Sequence, residues 1–291
     1  MNMNVVHKPS SVPTIIKASG EIERFDTEKL RVSLRRAGAG TATAERIAST
    51  ISATMAGGPV DSREVYRKAF SMLRREARPA AARYALRRAL LELGPSGHPF
   101  EDFMAHLFTS EGWNVEWRKV IQGKCIPHEV DVYATRAGET MAAELKYHND
   151  AYYKTDVKVA LYVKARMDDI WNCDPAARTC PVDRGMLITN TKFTSQAVEY
   201  AACSGLELLG WSYPKKGNLF DRIIESGLYP VTTLTSLKKS EKRLLIDRGI
   251  VTSRLLGEQR EALRALGVPS ERIGAILSEI RSLAEPFTYA P

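Results

Sequence analysis

Between residues 128 and 149 the chain reads HEVDVYATRAGETMAAELKYHN, and the segment MAAELKYH sets two charged side chains into an apolar, strand-like run. Successive side chains on a strand point to opposite faces, so Glu144 and Lys146 share one face and Ala143 and Leu145 take the other. The stretch Arg136-Ala137-Gly138-Glu139 predicts a tight turn. It folds back a preceding strand that carries Asp131, 13 residues before Glu144. A hairpin of this size brings Asp131 beside Glu144. Two carboxylates and an ammonium then share one surface next to a core, which is costly unless something compensates them.

A divalent metal would. Mg²⁺ (or Mn²⁺) prefers a few hard oxygen ligands and keeps some of its waters, which makes Asp131 and Glu144 the expected ligands. Such an ion polarises a phosphodiester and lowers the pKa of a bound water. Lys146 would hold or help deprotonate that water and offset charge in the transition state. The competing reading is an exposed strand edge on which Asp-x₁₂-Glu-x-Lys arises by chance, and spacing alone does not separate the two.

The order of elements does more. After the linker Gly94-Pro95-Ser96-Gly97-His98-Pro99, a helix carries Phe100, Phe103, Met104, Leu107 and Phe108 at helical spacing and stops at Gly112. Strands follow near 113–120 and 128–135, then the MAAELKYH strand, a helix over 155–171, the strand GMLITN, a helix in FTSQAVEYAACSG and the strand LELLGW. This predicts a mixed central sheet with helices on both faces. A helix, a meander bearing D…ExK, then helix, strand, helix, strand resembles the PD-(D/E)xK nuclease superfamily, and within it the Mrr-like restriction endonuclease domain over about 96–213. FEDFMAHLFTSEGWNV is similar to that domain's opening helix and strand entry, HEVDV to its Asp-bearing strand and AELKYHN to its E-x-K strand. The resemblance implies catalytic roles for Asp131, Glu144 and Lys146, and an accessory carboxylate at Glu101. For Glu101 the alternative is an ordinary charge favoured at a helix N-terminus. The residues before Asp131 read CIPHE where many such domains have an Asp-Gly turn, which opens a role for His128 or for Glu129, a further metal ligand or a solvated side chain. His148 continues the face of the E-x-K strand, within reach of a phosphate. For Lys154, Lys158 and Lys164, contacts to DNA phosphates compete with a solvated helix face.

Residues 13–93 predict a short hairpin followed by helices. IIKASGEIERF turns at Ser19-Gly20, and Asp26 caps a helix over 27–38 with Leu30, Leu34 and Ala37 on one face. Further helices are expected over 43–56, ending at Gly57-Gly58-Pro59, after Ser62, and over 79–93. The hydrophobic–Lys hairpin, the Gly turn, Phe-Asp and a helix opening x-x-Lys-Leu resemble the ATP-cone, a small regulatory nucleotide-binding domain, and VDSREVYRKAF and AARYALRRAL are similar to its later helices. The resemblance implies that Lys17 and Lys29 converge on the phosphates of ATP or dATP, that Glu23 and Asp26 receive ribose, base or magnesium, and that Ser62 and Tyr66 touch nucleotide. Phe25 reads as core. Where the cone usually has Arg after the hairpin Lys, this chain has Ala18, one phosphate contact fewer.

The third block, 218–291, consists of short helices. LTSLKKSEKRLLIDRGI and REALRALGVPSERIGAILSEI each read helix, Gly turn, helix, loosely like helix-hairpin-helix units; an oligomerisation or packing module competes with a DNA-binding one. The net charge of +8 sits mostly in the first third, where 16 Lys and Arg face 9 Asp and Glu over 13–93, and either nucleic acid or nucleotide phosphates would account for it. Four scattered cysteines make no disulfide framework. Cys173 and Cys180 are weak zinc candidates beside ordinary thiols. No apolar run is long enough for a bilayer, and residues 1–12 lack a secretory signal and read as a tail, so a cytoplasmic protein is expected.

The expected molecule is an α/β chain: a restriction-endonuclease-like core on a mixed sheet, an N-terminal, mostly helical ATP-cone and a C-terminal helical module. Its expected function is that of a metal-dependent DNA endonuclease regulated by ATP or dATP, acting as a homo-oligomer without a membrane. The alternatives are a non-catalytic, nucleotide-sensing nucleic-acid-binding regulator, or a resolvase or RNA-processing nuclease.

Overall fold

A computed structural model describes residues 13–17, 20–55, 58–173 and 182–285. The expected tail 1–12, together with Ala18, Ser19, Gly57 and Cys180, lies outside them. The chain divides into two compact units after Tyr84.

The first unit opens with strands β1 (Thr14–Ile16) and β2 (Ile22–Arg24), paired antiparallel. Helices α1 (Thr27–Arg36) and α2 (Thr41–Ala53) follow, then β3 (Val60–Asp61), α3 (Ser62–Glu76) and α4 (Arg78–Tyr84). Strand β3 was not legible in the sequence; it adds in parallel to β1 and completes a three-stranded mixed sheet in the order β2-β1-β3. Asp26 caps α1 as expected, accepting from the backbone N–H groups of Glu28 and Lys29. Leu30, Leu34, Ile47, Ile51, Val65, Ala69 and Leu73 form the core, and Phe25 is buried with them.

The single helix expected over 79–93 is two. It breaks at Ala85, and the second piece, α5 (Leu86–Leu91), belongs to the second unit. There the Leu91 carbonyl accepts from the Tyr147 hydroxyl at 2.7 Å, and the Ala89 carbonyl accepts from the Thr232 hydroxyl at 2.7 Å. Hydrophobic periodicity runs unbroken across Ala85, so the sequence gives no sign of the change of partner.

The second unit continues with α6 (His98–Ser110), the meander β4 (Asn114–Gln122), β5 (Pro127–Arg136) and β6 (Glu139–Lys146), then β7 (Lys154–Thr155) and α7 (Val157–Trp171). Strand β8 (Arg184–Thr189), β9 (Lys192–Phe193), α8 (Ser195–Ser204) and β10 (Glu207–Leu209) complete the core. The main sheet runs β10-β8-β6-β5-β4, parallel across β10-β8-β6 and antiparallel across β6-β5-β4, so it is the mixed sheet expected. The β5–β6 turn puts Ala137 and Gly138 at φ 49° and 86°, the left-handed pair that a two-residue hairpin loop requires. Helices α7 and α8 cover one face through Val163, Met167 and Ala197, while α6 packs on β4 and β5 without joining that cluster. Strand β6 is buried at six successive positions, Thr140–Leu145, as a strand covered on both faces must be. The cover is close: a Cβ on Gly185 of β8 would lie 2.8 Å from the Met167 side chain on α7.

The last segment contains α9 (Leu219–Ser226), α10 (Lys239–Asp247), α11 (Ser253–Glu258), α12 (Glu261–Ala265) and α13 (Ser270–Ala284). The two helix–Gly–helix pieces share one turn: Ile250 N–H donates to Leu245 O at 2.9 Å and Val268 N–H to Leu263 O at 3.0 Å, with Gly249 and Gly267 left-handed. This is the Schellman helix stop. It recurs after α1, where Ala39 N–H donates to Leu34 O, and after α6, where Trp113 N–H donates to Phe108 O. Such a turn therefore ends helices throughout this chain and does not by itself mark a DNA-binding unit.

Glu279 of α13 fastens this segment. It is buried, and its carboxylate accepts from the backbone N–H groups of Thr235 and Ser236 and from both their hydroxyls. Replacing it with alanine strands four donors. The expected cost is about 3 kcal/mol. Urea denaturation followed by tryptophan fluorescence measures it, because Trp113, Trp117, Trp171 and Trp211 all lie in the second unit.

Candidate active site

Strands β5 and β6 pair from the turn as far as Val132↔Ala143. Beyond that point β5 stays with β4, through Val130↔Lys119, and β6 stays with β8, through Glu144↔Leu187 and Lys146↔Thr189. Asp131 and Glu144 are the next residues after the last β5–β6 pair, so they stand where the sheet splits. The Leu145 N–H donates instead to Asp131 Oδ2, at 2.6 Å.

Glu144 is buried, with 5% of its surface exposed. Its Oε1 accepts from Lys146 Nζ at 2.7 Å and its Oε2 from the Arg166 guanidinium of α7. Arg166 also donates to the Glu129 carbonyl. Burial pushes the Asp131 carboxyl up to about 6, and the Glu144 charge adds to the shift; the Leu145 N–H and Lys146 oppose it. The structure thus brings Asp131, Glu144 and Lys146 together.

Glu101, on α6, contributes to raising Asp131 and is paired with Arg118, 3.0 Å from its Nη2. Arg118 lies between Trp117 and Lys119, which pair with Val132 and Val130, at the point where the β4–β5 ladder skips a pair. Its φ of 48° is a left-handed value uncommon outside glycine, a strained backbone at the carboxylate cluster.

Other expectations resolve differently. His128 is buried with its ring 2.7 Å from Asp169 Oδ2, and Asp169 also accepts from the N–H groups of Cys125 and Ile126. This clasp holds the β4–β5 turn against α7 and keeps His128 off the carboxylates; the His128 hydrogen bond, with those N–H groups, drives the Asp169 carboxyl far below its usual range. Glu129 offers Arg166 its backbone oxygen, and its residue is exposed. His148 lies against Thr155 and Tyr153; burial first, then Lys146, lowers its pKa. Lys164 pairs with Asp168 and lies over the Trp171 ring, whereas Lys154 and Lys158 are exposed.

In the first unit, Lys17 Nζ lies 2.6 Å from Glu23 Oε2, which raises the Lys17 pKa. Lys29 is exposed, Asp26 is engaged in capping α1, and Ser62 begins α3. Tyr66 stacks on Tyr84, with ring centroids 5.3 Å apart. Lys17 is in contact with Glu23, and Asp26 with the Lys29 backbone N–H through the cap.

Arg118 and Arg166 were not singled out from the sequence. Arg166 had a signal, since Lys158, Tyr162 and Arg166 recur every four residues along one stripe of α7. The backbone of Arg118 leaves none.

A metal would need these residues' oxygens. Among the described residues, no group of three or more His, Cys, Asp and Glu is placed to hold one. The two carboxylates fit a hard ion that keeps most of its waters. Burial first, and then the Glu144 charge, disfavour Asp131 as an anion, and a cation between the two carboxylates would offset both. Glu144 would have to yield Oε2 from Arg166.

Comparison with known proteins agrees with this geometry. The restriction endonuclease family of Mrr-like catalytic domains matches residues 94–211, and the family described as AF1548-like, C-terminal, matches 229–284. An uncharacterised protein of Archaeoglobus fulgidus is 34% identical over 181 residues, which is 62% of this chain and 99% of that protein. The crystal structure of AF1548, a protein of unknown function, aligns with a TM-score of 0.51 at 30% identity, over 65% of this chain and 98% of that one. Residues 13–84 lie outside both family spans. The chain belongs to the AF1548-like proteins, and in it a restriction endonuclease domain precedes an AF1548-like C-terminal domain.

Proposed function

We propose that this protein is a metal-dependent endonuclease that hydrolyses DNA phosphodiesters at Asp131, Glu144 and Lys146. The observation that carries the reading is the split between β5 and β6, which sets two carboxylates and two cationic side chains on one patch in a nuclease-family domain. Asp131 and Glu144 would hold Mg²⁺ or Mn²⁺, which supplies a polarised phosphoryl group and an acidified water. Lys146 offers its ammonium to the attacking water and the developing charge, and Arg166 is a second donor for phosphate oxygens. Glu101 and Arg118 form a pair beside Asp131 that fixes its surroundings. Supercoiled plasmid incubated with Mg²⁺ or Mn²⁺ is expected to be nicked or linearised; an intact plasmid under every metal condition overturns the reading.

Metal binding should depend on pH. A raised Asp131 must lose its proton to coordinate, so affinity for Mn²⁺ is expected to hold above pH 6 and to fall about tenfold per unit below it. Calorimetric titration with Mn²⁺ across roughly pH 5 to 8 reads this directly.

We also infer that the first unit binds ATP or dATP and regulates cleavage, in keeping with its ATP-cone resemblance. The support is Lys17 on the β1–β2 hairpin and the exposed Lys29 in the first turn of α1, where a phosphate would have to displace the Asp26 carboxylate from the N–H groups it caps. The phosphates would have to draw Lys17 away from Glu23. Nucleotide titration of the full chain is expected to show binding that Lys17→Ala weakens by about tenfold, the scale of one charge-assisted hydrogen bond. Binding unaffected by that change removes Lys17 from the site.

A further inference from the structure

Three tyrosines between residues 152 and 162 are exposed: Tyr152 (59%), Tyr153 (46%) and Tyr162 (57%). Two of them reach the carboxylate cluster through an intervening residue. The Tyr162 ring centroid lies 5.6 Å from the guanidinium carbon of Arg166, which holds one oxygen of Glu144. The Tyr153 ring lies 4.1 Å from that of His148, two residues beyond Lys146, which holds the other oxygen. One exposed ring therefore rests beside Arg166 and another on His148, two residues from Lys146. His148 is itself fixed, its N–H donating to Asn190 and its ring contacting Thr155 at 3.0 Å, so Tyr153 rests on a firm base.

The surroundings are cationic. Lys158, Tyr162 and Arg166 follow at four-residue intervals on α7 and make one stripe that ends at Glu144, and Lys154 is exposed on the segment before it. Alternating cations and open rings match a strand with bare bases, whose phosphates meet the cations and whose faces stack on the rings. A duplex has its base faces already stacked and offers a reader only edges and backbone. Building on the nuclease reading of the same cluster, we propose that the strand presented to Glu144 and Lys146 is unpaired DNA, with Tyr153 and Tyr162 stacking on bases that flank the cleaved phosphate and Lys154 and Lys158 meeting its backbone.

The test uses the full chain carrying Glu144→Gln, so that binding is read without cleavage. Fluorescence anisotropy compares a labelled single-stranded DNA, the blunt duplex of the same sequence and the matching single-stranded RNA at one salt concentration. The single-stranded DNA is expected to bind at least about tenfold tighter than the duplex. Tyr153→Ala and Tyr162→Ala should each weaken it by about tenfold, the scale of one base–aromatic stack, and leave the duplex unchanged. Tyr153→Phe and Tyr162→Phe should bind like the parent, because stacking needs the ring and not the hydroxyl. Equal or tighter binding of the duplex, a preference for RNA, or alanine variants that bind single strands like the parent overturns the proposal. A protein that cuts no substrate fails as a nuclease and yet passes or fails this comparison independently.

Discussion

A Glu144→Gln protein is expected to cleave DNA at least about a thousandfold more slowly than its parent while remaining folded. The rate loss follows from what the substitution removes: an anionic ligand for the metal and the partner that orients both Lys146 and Arg166. Glutamine keeps the shape and one acceptor oxygen, so the backbone of β6 between β5 and β8 need not move. What it leaves is two cations sharing a neutral group in a largely buried place. Loss of a buried ion-pair partner commonly costs about 3–5 kcal/mol, but Lys146 is one-third exposed and regains water, so the cost here should be about 2 kcal/mol or less. Plasmid cleavage and urea denaturation on the same preparation separate the two effects. Cleavage at the parental rate would place the chemistry elsewhere.

Much of the nuclease unit could be read before any coordinates. The meander, its two-residue turn and the D…ExK cluster follow from alternation and turn chemistry, which are local. The register then does the rest, since a turn at Ala137-Gly138 places Asp131 opposite Glu144. What escaped the sequence depends on distant partners. Arg166 reaches Glu144 from 22 residues away on a helix whose packing decides which side it shows. His128 lies on the strand that carries Asp131, yet Asp169 takes its ring. The strands β3, β7 and β9 are two residues each and exist through pairing alone. The break at Ala85 interrupts a run with good helical propensity because each half is buried against a different unit. Arg118 is the plainest limit: no residue pattern announces a left-handed arginine.

An Asp131→Asn protein is expected to be inactive and, in EDTA at neutral pH, more stable than its parent. Both results have one cause. Burial and the charge of Glu144 raise the Asp131 carboxyl to about 6, above its ordinary 3.8, so the folded protein binds that proton more tightly than the unfolded chain does. Below pH 3.8 both states are protonated and the carboxyl costs nothing. As pH rises through the window to about 6, the unfolded chain ionises first, and the parent loses stability relative to a variant that cannot ionise. The full shift corresponds to about 3 kcal/mol, and partial exposure reduces it to about 1–2 kcal/mol. Asparagine keeps an oxygen for the Leu145 N–H, so the gain is not offset by a lost hydrogen bond. Melting curves in EDTA should therefore coincide near pH 4 and separate in favour of the variant by pH 7. Added Mg²⁺ should then close the gap, because an ion held by Asp131 and Glu144 stabilises only the parent in proportion to its occupancy. If Asp131→Asn is no more stable than the parent at pH 7 in EDTA, the two carboxylates do not repel each other in the folded protein, and the electrostatic case for a cation between them falls.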